Sequence, residues 1–286
     1  MDTRFWLIQA FNGISYGALL FLVGSGLSLI FGVMRIVNLS HGSYFLLGGY
    51  VALTVIWTTG SWLLALPVAA LAIALIGLSM ERIFLRPLGF DPLRQVLLTV
   101  GFAFLFQQAA LDIWTGNNFD INPPDVLTRS VVVGGLYLPL YRLFMIGIAL
   151  AIGVILWLVM DKTRMGAAVR ATVDDAQMAR GVGIDTSRIS MLIFSLGAFL
   201  AALGGVIGGA FLGIYPGLDF EILPIAFAVV IIGGMGSLGG AAIGALLVGL
   251  ADNFGKALFP EISYFTLYAP MALILAVKPT GLFGRE

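Results

Sequence analysis

The chain has no cysteine and a single histidine, so disulfides, thiolate chemistry and multi-histidine metal sites are excluded at the outset. Charge is scarce as well. Only 10% of residues are charged, with 15 basic against 15 acidic, and this balance gives no electrostatic basis for nucleic-acid binding. No Gly-Lys-Ser or Gly-Lys-Thr phosphate loop occurs, which removes that route to ATP hydrolysis by the chain itself. No polar stretch is long enough for a separate soluble catalytic domain.

What is present is apolar sequence: 60% of the 286 residues are hydrophobic. The mean hydropathy of +1.04 belongs to a chain embedded in lipid. A membrane-crossing helix needs roughly 20 apolar residues. Eight runs answer to that description: Phe5 to Phe31, Ser43 to Thr58, Trp62 to Met80, Val96 to Thr115, Leu143 to Met160, Ser190 to Leu212, Ile225 to Leu250 and Ile262 to Val277. The reading is an all-α, polytopic membrane protein of about eight transmembrane helices in one domain over residues 1–286, some of them interrupted. Met1, Asp2, Thr3 and Arg4 lead into the first run without a small-residue cleavage site, so that run is read as a retained helix.

Basic residues orient the runs. Arg82, Arg86 and Arg94 follow the third; Lys162, Arg164, Arg170, Arg180 and Arg188 follow the fifth; Lys278 and Arg285 lie in the tail. These ten of the fifteen basic residues mark the cytoplasmic side. The segment Gly116 to Arg142, with Asn117, Asn118, Pro123 and Pro124, then lies outside, as does the loop around Tyr215, Pro216 and Asp219. From that loop to a cytoplasmic tail the chain crosses an odd number of times, yet two runs remain. The count closes if Ile225 to Leu250 is two segments folded at Gly233, Gly234, Gly236, Gly239 and Gly240. The side of the N-terminus stays open. A weak internal echo relates Gly24 to Tyr50, broken at Arg35, Asn38 and His41, to Ile222 to Leu250, broken at its glycines. Two such degenerate repeats are a transporter device, with the broken segments lining the substrate path.

Gly234, Gly236 and Gly239 satisfy G-x-G-x-x-G, but no strand precedes them and membrane runs flank them, so no dinucleotide site follows. Small residues four apart, such as Gly13 and Gly17 or Gly204 and Gly208, read as close helix packing in lipid. His41 sits in Asn38-Leu39-Ser40-His41-Gly42, where an intramembrane ionisable group suggests function and the neighbours suggest a helix cap. Gln107 and Gln108 read either as path-facing or as interhelical hydrogen-bonding groups. Asn38, His41, Gln107, Gly233, Gly234 and Gly236 are the candidates for the substrate path. The polar stretch Lys162 to Arg188 predicts a short cytoplasmic helix around Thr172 to Met178, after a turn at Gly166 and before a stop at Gly181 and Gly183. Arg170, Asp174 and Gln177 share one stripe of it, and Ala167, Ala171 and Met178 another. It is either a solvated loop helix or a docking element.

Four ordered blocks carry a likeness to a known family: LSLIFGVMRIVNLSHGSYFLLGGYVA (Leu27 to Ala52), ERIFLRPL (Glu81 to Leu88), TRMGAAVRATVDDAQMARGVGI (Thr163 to Ile184) and AFAVVIIGGMGSLGGAAIGALLVGL (Ala226 to Leu250). Over nearly its whole length the sequence resembles the membrane subunits of bacterial and archaeal branched-chain amino-acid ABC importers, specifically the shorter of two permeases. The resemblance implies a homologous second permease, two cytoplasmic ATPase subunits that bind the ATP, an extracytoplasmic solute-binding protein, and residence in the cytoplasmic membrane. No cofactor, metal or catalytic residue is expected in this chain. Residues 162–188 match the family's coupling loop, which seats in a groove of an ATPase. Arg164, Gly166, Arg170, Asp174, Asp175, Met178 and Gly181 are the expected coupling residues. The external segment Gly116 to Arg142 is generic, so no contacts with a binding protein carry over.

The expected activity is import of hydrophobic amino acids by alternating access. Urea, short amides and other small solutes remain alternatives within the family. An ion-coupled transporter would place charges inside the spans, where there are almost none. An intramembrane enzyme would show a nucleophile paired with a base, and no such spacing appears.

Overall fold

The computed structural model describes residues 3–89 and 91–284; Arg285 lies outside them. Its helices are α1 (Thr3–Met34), α2 (His41–Thr59), α3 (Trp62–Met80), α4 (Pro92–Trp114), α5 (Leu140–Lys162), α6 (Arg164–Asp174), α7 (Ala176–Gly181), α8 (Thr186–Leu212), α9 (Leu218–Gly233), α10 (Leu238–Leu258) and α11 (Ser263–Val277). Six of them among the described residues, α1, α3, α4, α5, α8 and α10, are long and apolar enough to cross a membrane. The all-α, multi-pass body expected from the sequence is the one observed. One addition lies in the segment read as generic: a hairpin of β1 (Ser130–Val133) and β2 (Leu136–Pro139), with Val133 opposite Leu136. Gly134 and Gly135, at φ of 58° and 80°, supply the two-residue turn that such a hairpin requires.

Helix starts are written locally. Ser61 accepts from the Leu64 amide (3.3 Å), Asp91 from Arg94 (3.2 Å) and Ser237 from Gly240 (3.0 Å), each satisfying a donor that a helix start leaves unpaired. The glycine break falls where the sequence placed it. α9 ends at Gly233 and α10 begins at Leu238, with Gly234 and Gly236 at φ of 100° and 82°. Replacing Ser237 with alanine removes the α10 cap and is expected to destabilise the protein by about 1 kcal/mol. Denaturation in detergent measures it, and an unchanged midpoint would show that the cap contributes nothing.

Two four-helix units, α1 to α4 and α8 to α11, are built alike and inverted. α1 packs on α10 as α8 packs on α3, and α2 on α3 as α9 on α10. In the first unit the chain leaves α1, turns back through the non-helical residues 35–40 and starts α2 part-way along the bundle; in the second it leaves α8, turns back through residues 213–217 and starts α9 likewise. The two units cross at Gly26 and Gly197, where a Cβ on Gly26 would stand 2.7 Å from the Gly197 carbonyl oxygen. The repeat is therefore real, but its expected register is corrected by one helix. The break at 35–40 corresponds to 213–217, and the glycine turn at 234–237 corresponds to the tight turn at Gly60 and Ser61. A glycine-rich turn and a non-helical re-entry both interrupt an apolar run, so hydropathy alone does not tell them apart.

The ends of the bundle separate the charges. Arg86 donates to the Ser187 carbonyl (3.0 Å) and Arg35 to that of Val173 (3.4 Å), and Gly281 packs against Gly234. The basic loops thus share one end, the cytoplasmic one. At the other end Arg142 donates to Asn12 (2.5 Å), which ties the first turns of α1 to the external segment. The first turns of α1 consequently lie on the outer side. Nine passes among the described residues, α1 to α5 and α8 to α11, carry the chain to a cytoplasmic tail.

Candidate functional site

α2 begins inside the bundle. His41 Nε2 donates to the Val23 carbonyl at 3.0 Å, and Val23 precedes the cytoplasmic end of α1 by eleven residues, or about 16 Å along a helix. The re-entering backbone is satisfied by protein. Asn38 Oδ1 accepts from the Ser40 amide (3.1 Å) and hydroxyl (2.7 Å), and the Leu39 amide donates to Thr99 (3.2 Å). This is the condition under which non-helical chain is tolerated at membrane depth. The start of α9 meets it: Gly42 packs on the Asp219 carbonyl, and Ser43 donates to Asp219 Oδ2 at 3.0 Å. Asp219, expected in an external loop, is instead 2% exposed in the first turn of α9, because the chain dips back into the bundle before that helix starts.

The six candidates for the substrate path do not converge. Asn38 and His41 are fully buried at the α2 start, and among the described residues Asn38 Nδ2 and His41 Nδ1 have no hydrogen-bond partner. Gly233, Gly234 and Gly236 lie at the cytoplasmic end, where Gly236 packs on Gly32, nine residues beyond Val23, or roughly 13 Å away. Gly234 is covered there by the tail, with the Phe283 amide donating to the Gly233 carbonyl at 3.0 Å. Gln107 is half-buried on α4, three residues from Phe104 and on the same side of that helix.

That side of α4 belongs to a face no sequence pattern had marked. Phe104 stands 5.6 Å from Phe220 at the start of α9, and α11 packs on α9 beyond it. α4 buries the least of its length among the six long helices, and its counterpart α11 buries only Leu267 among the described residues. Next to Phe220 in the first turn of α9, Glu221 is exposed, accepting from the Tyr215 hydroxyl at 2.8 Å. It precedes the end of α9 by twelve residues, or about 18 Å. The signal in the sequence was an acidic residue just ahead of an apolar run.

The second surface is cytoplasmic. The helix expected over Thr172 to Met178 is two helices, divided at Asp175. That residue is extended (φ −152°) and its carboxylate accepts from the amides of Gln177 (2.8 Å) and Met178 (2.9 Å), starting α7. An aspartate that caps a new helix ends the old one, so the two expected stripes do not run through. The underside is anchored. Val169 packs with Leu29, Met160, Ile189 and Ile193, Ala179 is buried, and Gly166 lies so close to the Met160 carbonyl that a side chain has no room. Arg170 donates to that same carbonyl. Outward stand Arg164, Asp174, Asp175 and Gly181, together with Met178 at 67% and Val182 at 73% exposure. Val182 was not among the expected coupling residues.

Inverted helical repeats whose second helices start at mid-depth, above a supported cytoplasmic surface, are the architecture of a membrane transport subunit. Residues 9–275 match the family model described as branched-chain amino acid transport system / permease component. The chain belongs to that family and is a multi-pass membrane protein. It is similar to the high-affinity branched-chain amino acid transport system permease protein LivH of Escherichia coli, 31% identical across 98% of this chain and 96% of that one. BraD of Pseudomonas aeruginosa, a permease protein of the same description, is 28% identical over the same shares. The autoinducer 2 import system permease protein LsrC of Yersinia pestis is 28% identical across 88% of this chain and 72% of its own.

Proposed function

We propose that this chain is the membrane-spanning subunit of an importer of hydrophobic amino acids, driven by ATP hydrolysed on separate subunits. The observation that carries the reading is the α6–α7 surface. It is rigidly supported from beneath, it exposes Met178 and Val182 outside the lipid, and it belongs to a chain without a phosphate loop. An ATPase subunit seated there moves α5 and α8, the helices that flank α6 and α7. A homologous second permease covers the face of α4, α9 and α11, and the substrate path runs between the two. An extracytoplasmic binding protein meets the end that bears the hairpin. In this arrangement ATP acts by binding one of two conformations better, and the inward-open and outward-open populations follow. The relatives named for branched-chain amino acids favour those substrates. The relative named for autoinducer 2 favours, as a second reading, a different small solute on the same fold.

In liposomes holding the complete complex, leucine is expected to accumulate only with ATP on the ATPase side and binding protein on the other. Accumulation by this chain alone, under a proton or sodium gradient, would overturn the reading.

A further inference from the structure

We infer that Glu221 is the acceptor for the ammonium group of the transported amino acid, with Tyr215 holding its carboxylate in position; this rests on the amino-acid reading above. Glu221 lies about 18 Å from the cytoplasmic end of α9, near the middle of a hydrocarbon core about 30 Å thick. An ionisable side chain at that depth does not face lipid: it faces protein, or it faces a water-filled path. Glu221 is exposed, and none of the ion pairs found among the described residues includes it. The face it occupies is therefore a path or an interface.

Three further features favour the substrate's ammonium. The Tyr215 hydroxyl donates to Oε2 at 2.8 Å, which orients the carboxylate rather than neutralising it. Phe220, its neighbour in α9 and 40% exposed, pairs with Phe104, 57% exposed, in an aromatic surface that suits a branched apolar side chain. Stabilisation of the helix dipole explains an acid in the first turn of α9, but Asp219 supplies one there and is buried, so that role does not call for an exposed second carboxylate. A single carboxylate on an open face binds a zwitterion briefly, as a step in passage requires.

The test compares wild type, Glu221→Gln and Glu221→Asp in liposomes containing the complete complex. The readouts are ATP-driven leucine uptake, its inhibition by the α-hydroxy analogue of leucine applied where the path opens, and retention of the second permease. Glu221→Gln is expected to reduce leucine uptake at sub-saturating concentration at least tenfold. It should also abolish the preference for leucine over the hydroxy analogue, while Glu221→Asp stays within about threefold of wild type and all three retain the second permease. Wild-type uptake by Glu221→Gln would overturn the inference and leave the importer reading standing. Loss of the second permease in Glu221→Gln would also overturn it, by making Glu221 an interface residue. A wild-type complex that fails to move leucine would instead sink the amino-acid reading itself.

Discussion

Valine at Gly234 is expected to lower leucine uptake at least tenfold and to reduce the yield of folded protein. Two independent obstacles meet at that position. Its φ of 100° is a conformation that a β-branched residue does not adopt without strain, and residues held so unfavourably cost of order 1–3 kcal/mol. A Cβ there also runs into the backbone of Phe283 and Gly284, the part of the tail whose amides at Leu282 (2.9 Å) and Phe283 (3.0 Å) donate to the carbonyls of Ile232 and Gly233. The tail must leave before the side chain fits, and the last carbonyls of α9 then lose their donors. Valine at Gly236 (φ 82°) is expected to act similarly, since its Cβ would meet the Gly32 Cα at 3.0 Å. Gly239 is the control: open space surrounds it, so Gly239→Ala should behave as wild type. Uptake assays and thermal unfolding in detergent decide the matter, and normal transport with valine at both 234 and 236 would show that the turn is not built as described.

Glutamate at Met178 is expected to release the ATPase subunit, reducing the amount retained per permease at least tenfold, while insertion and thermal stability stay near wild type. Met178 is 67% exposed, and exposed substitutions usually change stability by no more than about 0.5 kcal/mol. A buried apolar anchor at an interface is worth about 2 kcal/mol or more when lost. Asp174→Lys should act in the same direction through charge, with little effect on the fold. Asp175 must be treated separately, because its carboxylate caps α7: Asp175→Ala is expected to cost about 1 kcal/mol locally, so its effect on docking is indirect. Retention measured by co-purification, with substrate-stimulated ATP hydrolysis alongside, tests the surface. Unchanged retention in Met178→Glu would return α6 and α7 to a solvated linker.

The membrane body was legible because lipid demands long apolar runs, and Trp62 to Met80 matches α3 residue for residue. The fold at Gly233 to Gly240 was legible because charge parity required an extra crossing and the glycines offered a place for it. Depth was not legible. Nothing in Asn38-Leu39-Ser40-His41 says that the helix starts mid-bundle, because that is fixed by contacts with Val23 and Thr99, which are remote in sequence. For the same reason Asp219 passed as a loop residue and Glu221 passed unnoticed. The division at Asp175 was legible in principle, since aspartate before Ala-Gln-Met is a capping arrangement, but a continuous helical stripe competed with it. The hairpin was legible too, in the Gly134-Gly135 pair between Val133 and Leu136, and was obscured by the expectation that an external segment would be featureless.

The inversion of the two units sets a timetable for synthesis. The outer glycines of α1 close on α10, where Gly13 lies against Leu250 and Gly17 against Ala245. α10 begins at Leu238, some two hundred residues after α1 ends at Met34. A ribosome adding about 5–20 residues per second delivers it roughly 10–40 s later. During that interval α1 sits in the bilayer with its contact surface against lipid or against the insertion machinery. That seam of α1 therefore waits for the second half of the protein, and truncation anywhere before α10 leaves it open.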